Sequence, residues 1–218
     1  MPVLLLHCLL ALPFLLATAN ASAQAAVGDY PQVLVSTNQG DFVVELDARR
    51  APLTARAFIE RVQSDYYKDT IFHRVIDGFV VQGGGHFADY SATPPVPALV
   101  NESGNGLSNT RGTIAMARTN APHSAGSQFF INVADNTRLD PSRERWGYAV
   151  FGQVVAGMDI VDKIAATPTG PAGPFAKEVP ALPMVVKTMR VLSQADIDAR
   201  LQQELAEAEA LLEEATSQ

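Results

Sequence analysis

Apolar and polar residues alternate through most of the stretch from 33 to 192, the period-two pattern of strands with one buried face. Residues 33–37 and 42–46 alternate on either side of Asn38-Gln39-Gly40, which predicts a β-hairpin. Pro52 opens a helical stretch to about Ser64, with Phe58, Ile59 and Val62 as the stripe that would lie on a sheet. Further strands are expected at 71–75, 79–82, 113–117, 128–133 and 149–154, then a shorter helix at 157–164 and a last β-rich run at 184–192. Residues 91–97, 101–112 and 167–183 are rich in Gly, Pro and Asn and read as loops. Many short strands with only two core helices point to a mainly β fold, an antiparallel sheet closed or nearly closed on itself.

The two ends break this pattern. Residues 4–16 are almost unbroken apolar sequence, interrupted by His7 and Pro13, and Ala21-Ser22-Ala23 then supplies a small-x-small cleavage site. Residues 1–23 therefore read as a signal peptide, too short to span a bilayer comfortably, although the first basic residue is as late as Arg49. Cys8 is the single cysteine and lies inside that segment, so a processed chain would hold neither disulfide nor thiolate ligand. From 193 to 218, Ile197, Leu201, Leu205 and Leu212 recur near helical spacing among Ala, Gln and Glu. This segment reads as an acidic, solvated helical tail without evident caps, separate from a domain at 30–192.

Charge and composition narrow the function. The 218 residues are 47% hydrophobic and 18% charged, ordinary for one soluble domain. Most of the net −7 comes from the tail, where Asp196, Asp198, Glu204, Glu207, Glu209, Glu213 and Glu214 face only Arg200. Neither the tail nor the near-neutral remainder offers a footprint for nucleic acid. His73, His86 and His123 lack metal-ligand spacing, and Ser124 and Ser127 lack a nucleophile elbow. The glycine runs 83–85 and 104–106 lack the lysine and helix of a phosphate loop.

What remains is Phe72-His73-Arg74-Val75-Ile76-Asp77-Gly78-Phe79-Val80-Val81-Gln82-Gly83-Gly84, followed downstream by Gly126-Ser127-Gln128-Phe129-Phe130-Ile131-Asn132. One arginine, two glutamines and large apolar side chains suit a reaction that makes and breaks no covalent bond. Rotation of the peptide bond before proline is such a reaction. Its barrier is about 18–20 kcal/mol because the amide is resonance-stabilised. Uncatalysed exchange takes tens to hundreds of seconds, although cis and trans differ by only about 0.5–1 kcal/mol. A guanidinium, which only donates and is always charged, is suited to hydrogen-bond the prolyl nitrogen as it becomes pyramidal.

These two motifs, with 112–118 and 151–164, strongly resemble the cyclophilins, a family of peptidyl-prolyl cis-trans isomerases, and within them the exported bacterial type. The resemblance covers roughly 33–192. It implies a closed eight-stranded antiparallel β-barrel capped by two helices, with a shallow groove on its outer surface. Carried over position by position, Arg74 falls at the catalytic arginine, Phe79 and Phe130 at the proline-pocket aromatics, and Gln82 at the glutamine that binds substrate backbone and orients the arginine. Val80 stands where methionine is commoner. Met116, Ala117 and Arg118 fall in the groove-lining segment, Gln128 at another groove position, Leu139 at an apolar pocket position, and Tyr148 where many members have histidine. Arg138 occupies a position often held by a tryptophan associated with cyclosporin binding, and Trp146 does not align with it, so weak cyclosporin binding is expected. The resemblance further implies proline-containing segments as partners, no cofactor or metal, a monomer, and a periplasmic location.

Geometry sets one condition on this reading. A strict two-residue Asp77-Gly78 hairpin would pair Ile76 with Phe79 and turn Gln82 to the face opposite Arg74. A groove containing both requires a wider turn or a bulge.

Overall fold

The computed structural model of the protein describes residues 28–216; the expected signal peptide and Cys8 lie outside them. In chain order the elements are β1 (Gln32–Thr37), β2 (Asp41–Leu46), α1 (Pro52–Gln63), β3 (Arg74–Ile76), β4 (Val80–Gly83), β5 (Thr113–Met116) and β6 (Phe129–Asn132). They continue with β7 (Val150–Ala156), α2 (Met158–Ala165), β8 (Thr169–Ala172), β9 (Phe175–Pro180), β10 (Val186–Val191) and α3 (Gln194–Thr216). A single 3-10 turn, Thr137–Leu139, lies between β6 and β7. Residues 167–183, expected as a loop, contain the β8–β9 hairpin, whose four prolines and glycines mask its alternation.

Eight strands form one antiparallel sheet in the order β10-β1-β2-β7-β5-β6-β4-β3. The sheet curls but stays open, which corrects the closed barrel expected from the sequence. Only an isolated bridge between Ile71 and Val185 crosses the seam, with Phe72 N donating to Met184 O at 2.9 Å and Val186 N to Thr70 O at 2.8 Å. No ladder forms there because β3 is three residues long and the approach to β10 carries Pro183, which has no N–H to donate. The outer edge of β3 is covered instead by the β8–β9 hairpin, which packs beside it.

Side chains that alternate inward make the main core. Val33, Val35, Phe42, Val44, Leu46, Val75, Val81, Ile114, Phe129, Ile131 and Phe151 are buried there beneath α1 and α2. Phe58 of α1 anchors an aromatic group, with ring centroids 5.2 Å from Tyr67, 5.6 Å from Phe129 and 5.2 Å from Phe151. Pro52 suits the first turn of α1, where a missing N–H costs nothing. Ala51 cannot cap that helix, and the Glu102 carboxylate does so from another loop. It accepts from Leu53 N at 3.1 Å, Thr54 N at 2.8 Å and Thr54 Oγ1 at 2.6 Å.

The 3-10 turn is held in the same way. Asp140 accepts from Asn109 N and Nδ2 at 2.7 and 2.8 Å and from Ser108 Oγ. Burial would raise the Asp140 carboxyl, but the hydrogen bonds from Ser108 and Asn109 outweigh it and hold it below its ordinary 3.8. In α3, Ser193 and Asp196 form a reciprocal cap that was not evident from periodicity: Asp196 N donates to Ser193 Oγ and Ser193 N to Asp196 Oδ2. Arg200 Nη2 reaches Gln32 Oε1 at 3.0 Å, yet no residue of α3 is buried. Among the described residues, no helix is long and apolar enough to cross a membrane.

Two outcomes are expected. Asp140→Asn should cost about 1 kcal/mol at neutral pH. Because the folded pKa is depressed, that contribution exists above the unfolded value and fades as pH falls through the folded one. Urea melts of both proteins should therefore converge below about pH 4. Removing residues 194–218 should shift Tm by less than about 4 °C, since only exposed polar contacts are lost. A larger drop in a thermal melt would show that α3 belongs to the folded domain.

Candidate functional site

Three residues, Asp77-Gly78-Phe79, link β3 to β4, so the turn is wider than the dipeptide suggests. Phe79 N donates to Ile76 O at 3.0 Å, and Gly78 takes φ 65°, which only glycine adopts freely. The extra residue places Arg74 opposite Gln82 and Ile76 opposite Val80. Gln82 in turn pairs with Phe130, and Phe130 with Ala115. Residues directly opposite share a face, so Arg74, Gln82, Phe130 and Ala115 form one row across four strands on the outside of the sheet. A second, smaller apolar cluster grows on this face from Val80, Ala115, Phe130 and Val150, flanked by Phe79, Leu107, Ala117, Leu139 and Tyr148.

Above that cluster is a groove of about 280 Å³ lined by Arg74, Phe79, Val80, Gln82, Ala117, Arg118, Phe130, Leu139 and Tyr148. Nine of the eleven residues expected from the sequence thus converge on one hollow. Gln128 stands just outside it, and Gln82 Nε2 donates to Gln128 Oε1 at 2.9 Å. A second hollow of about 380 Å³ begins there, walled by Pro94, Pro95 and Val96 and sharing Gln82, Ala117 and Arg118 with the first. Met116 is the exception. It is 2% exposed, faces the main core and pairs with Phe129, because one step along β5 reverses the face. Its neighbour Ala115 is the residue beneath the groove, and its small side chain leaves the hollow open.

Arg74 is held on two sides. Its Nε donates to Glu178 Oε2 at 2.7 Å and its Nη1 to Gln82 Oε1 at 3.2 Å, leaving Nη2 without a protein partner among the described residues. The Arg74 side chain is 39% exposed, so the guanidinium borders the groove and is not sunk in the core. Arg118 is occupied differently. Its fork donates to the carbonyls of Gly147, Thr119 and Trp146 at 3.1, 2.8 and 2.6 Å, and its Cζ lies 4.7 Å over the Tyr148 ring. It stiffens the rim, and Tyr148 packs edge-on to Phe130 at 5.7 Å. Arg138 lies 4.6 Å over the ring of Phe79. Phe79 is itself fixed through its carbonyl, which accepts from Val133 N and Asn136 Nδ2.

His73 adjoins Arg74 but is 3% exposed. Burial, with the neighbouring His86 charge, pushes it down to about 4, so it is a neutral packing group at physiological pH. Among the described residues no group of three or more His, Cys, Asp or Glu is placed to hold a metal ion. Sequence reasoning missed Glu178, Ala115 and the Asn136–Asp140 scaffold. Ala115 was accessible from strand alternation; Glu178 lies in a Pro- and Gly-rich stretch with no local signal.

A family model described as cyclophilin type peptidyl-prolyl cis-trans isomerase/CLD matches residues 32–191. Peptidyl-prolyl cis-trans isomerase A of Dickeya dadantii is 46% identical over 81% of this chain and 92% of its own length. Peptidyl-prolyl cis-trans isomerase B of Escherichia coli is 46% identical over 73% of this chain and 98% of its own. A solved cyclophilin-type isomerase from Cryptosporidium parvum superposes with a TM-score of 0.62 at 26% identity, covering 76% of this chain and 99% of that one. It has also been solved in the presence of the dipeptide Ala-Pro, with a TM-score of 0.61. With an arginine, a glutamine and an apolar slot aligned on the outer face of the same sheet, the chain belongs to the cyclophilin family and is a peptidyl-prolyl cis-trans isomerase.

Proposed function

We propose that the protein is an exported, periplasmic isomerase acting on proline-containing segments of folding polypeptides, with Arg74 as its electrostatic catalyst. The observation that carries the site assignment is the row Arg74, Gln82, Phe130, which sets a donor beside an apolar slot. In this reading the pyrrolidine ring enters the slot between Phe79, Val80, Phe130 and Leu139. Gln82 and Gln128 hold the adjoining backbone, and the chain preceding proline runs toward the second hollow. As the amide twists, its nitrogen loses conjugation and gains a lone pair. An Nη proton of Arg74 meets that lone pair, a bond stronger in the twisted state than in either planar one, so the barrier falls. No proton is transferred and no covalent intermediate forms. No cofactor is required.

Export rests on the apolar run at 4–16 and the small residues at 21–23. Processing there would remove residues 1–23 and leave an isomerase domain from about 30 to 192 and the acidic tail, as a monomer. Intact mass of the protein recovered from the periplasm would check the cleavage.

Arg74→Ala should lower kcat/KM for an Xaa-Pro peptide by about 100-fold or more, the scale of losing a transition-state donor. Equal rates for the two proteins would remove Arg74 from the mechanism. Cyclosporin should inhibit only weakly, because Arg138 and not an indole covers Phe79. A nanomolar inhibition constant in the same assay would contradict this.

A further inference from the structure

The β8–β9 hairpin is irregular at one place. Gly170 pairs with Val179 and Ala172 with Phe175, so Pro171 alone opposes Ala176, Lys177 and Glu178. Pro171 has no N–H for the ladder, and the three facing residues bulge outward. Glu178 reaches φ 68°, a left-handed conformation that costs a non-glycine residue roughly 1–2 kcal/mol. The bulge turns its carboxylate toward Arg74 across 104 residues of sequence.

The hairpin is also fastened beside β3. Phe175 stacks on His73 with centroids 5.5 Å apart and 28° between planes, and meets His86 edge-on at 5.0 Å. One residue of the hairpin thus grips the position before Arg74, and another grips Arg74 itself. Glu178 is 20% exposed in its side chain. Burial would raise its carboxyl, but hydrogen bonds from Lys177 and Arg74 outweigh that and hold it below its ordinary 4.5. It is therefore an anion at neutral pH.

We propose that Glu178 is a positioning residue for Arg74: its carboxylate holds Nε and thereby directs the Nη donors toward the proline slot. This rests on the reading of Arg74 as the donor to the prolyl nitrogen. A long side chain bordering solvent otherwise samples many rotamers, and freezing it in the transition state would cost up to about 2 kcal/mol. Gln82 alone fixes one Nη1 proton and leaves the plane free to swing. The second contact, at Nε, makes the fork rigid. A carboxylate also partly offsets the guanidinium charge. That loss is the smaller effect, because the twisted amide is neutral overall and needs an aligned N–H more than a net cation.

The strained backbone supplies a discriminating experiment. Glu178→Gly relieves the left-handed conformation while deleting the carboxylate, whereas Glu178→Gln keeps an acceptor on the same stem. Isomerisation of an Xaa-Pro peptide would be measured with both variants, with Arg74→Ala, and with the Arg74→Ala/Glu178→Gly double variant, alongside thermal melts. Glu178→Gly should lower kcat about fivefold with KM unchanged and Tm equal to or above wild type, the scale expected of a partly exposed charged hydrogen bond. Glu178→Gln should recover most of that loss, and in the Arg74→Ala background Glu178→Gly should change nothing further. Wild-type or faster turnover by Glu178→Gly, with Arg74→Ala still impaired, overturns the role of Glu178 alone. So does an equal loss from Glu178→Gly with and without Arg74. Full activity in Arg74→Ala removes the reading on which it rests.

Discussion

The pairing of Arg74 with Gln82 across β3 and β4 depends on Gly78, whose left-handed backbone lets three residues close the hairpin. Strand side chains alternate, so one residue fewer in the turn would move Gln82, Val80 and every later partner to the opposite face. The arginine would then stand beside Val81, with the slot turned into the core. The row from Arg74 to Ala115 runs through three ladders, and each carries the register of the turn further. The catalytic face is thus a consequence of backbone hydrogen bonding before it is one of side-chain chemistry.

The same alternation divides the work of the sheet. Val75, Val81, Ile131, Ile114 and Phe129 face inward and supply the burial that holds the domain together. Val80, Phe130, Ala115 and Val150 face outward and would be an exposed apolar patch without their cover of Phe79, Leu139 and Tyr148. That cover is only partial, and the gap in it is the groove. Its walls are stiff because they rest on buried polar contacts: Asn136 Nδ2 donates to Phe79 O at 2.8 Å and to Asn132 Oδ1 at 2.9 Å. Asp140 holds the turn that carries Arg138 and Leu139.

Cations around the groove differ by what occupies them. Arg118 is saturated by backbone carbonyls, and Arg138 lies over a ring. Arg74 alone of the three keeps an Nη group without a protein partner among the described residues. A donor can act on an incoming amide only if its own hydrogen bonds are not all satisfied by the fold. The net charge of −7 has little part in this, because most of it resides on α3, away from the groove.

Alternation and turn residues in the sequence determined the strands, the two core helices and the acidic helical tail, since these follow from local periodicity and propensity. The ordered motifs likewise identified nine residues of the groove. Three matters were decided only by tertiary structure. Whether the sheet closes depended on how far β3 and β10 overlap at the seam, which no local pattern records. Met116 went to the core and Ala115 to the groove because register, not residue type, selects the face. Glu178 came to Arg74 from a bulge 104 residues away, and an ion pair at that separation leaves no trace in either segment. Local pattern specifies what an element is; only the pairing of distant backbone decides which side chains meet.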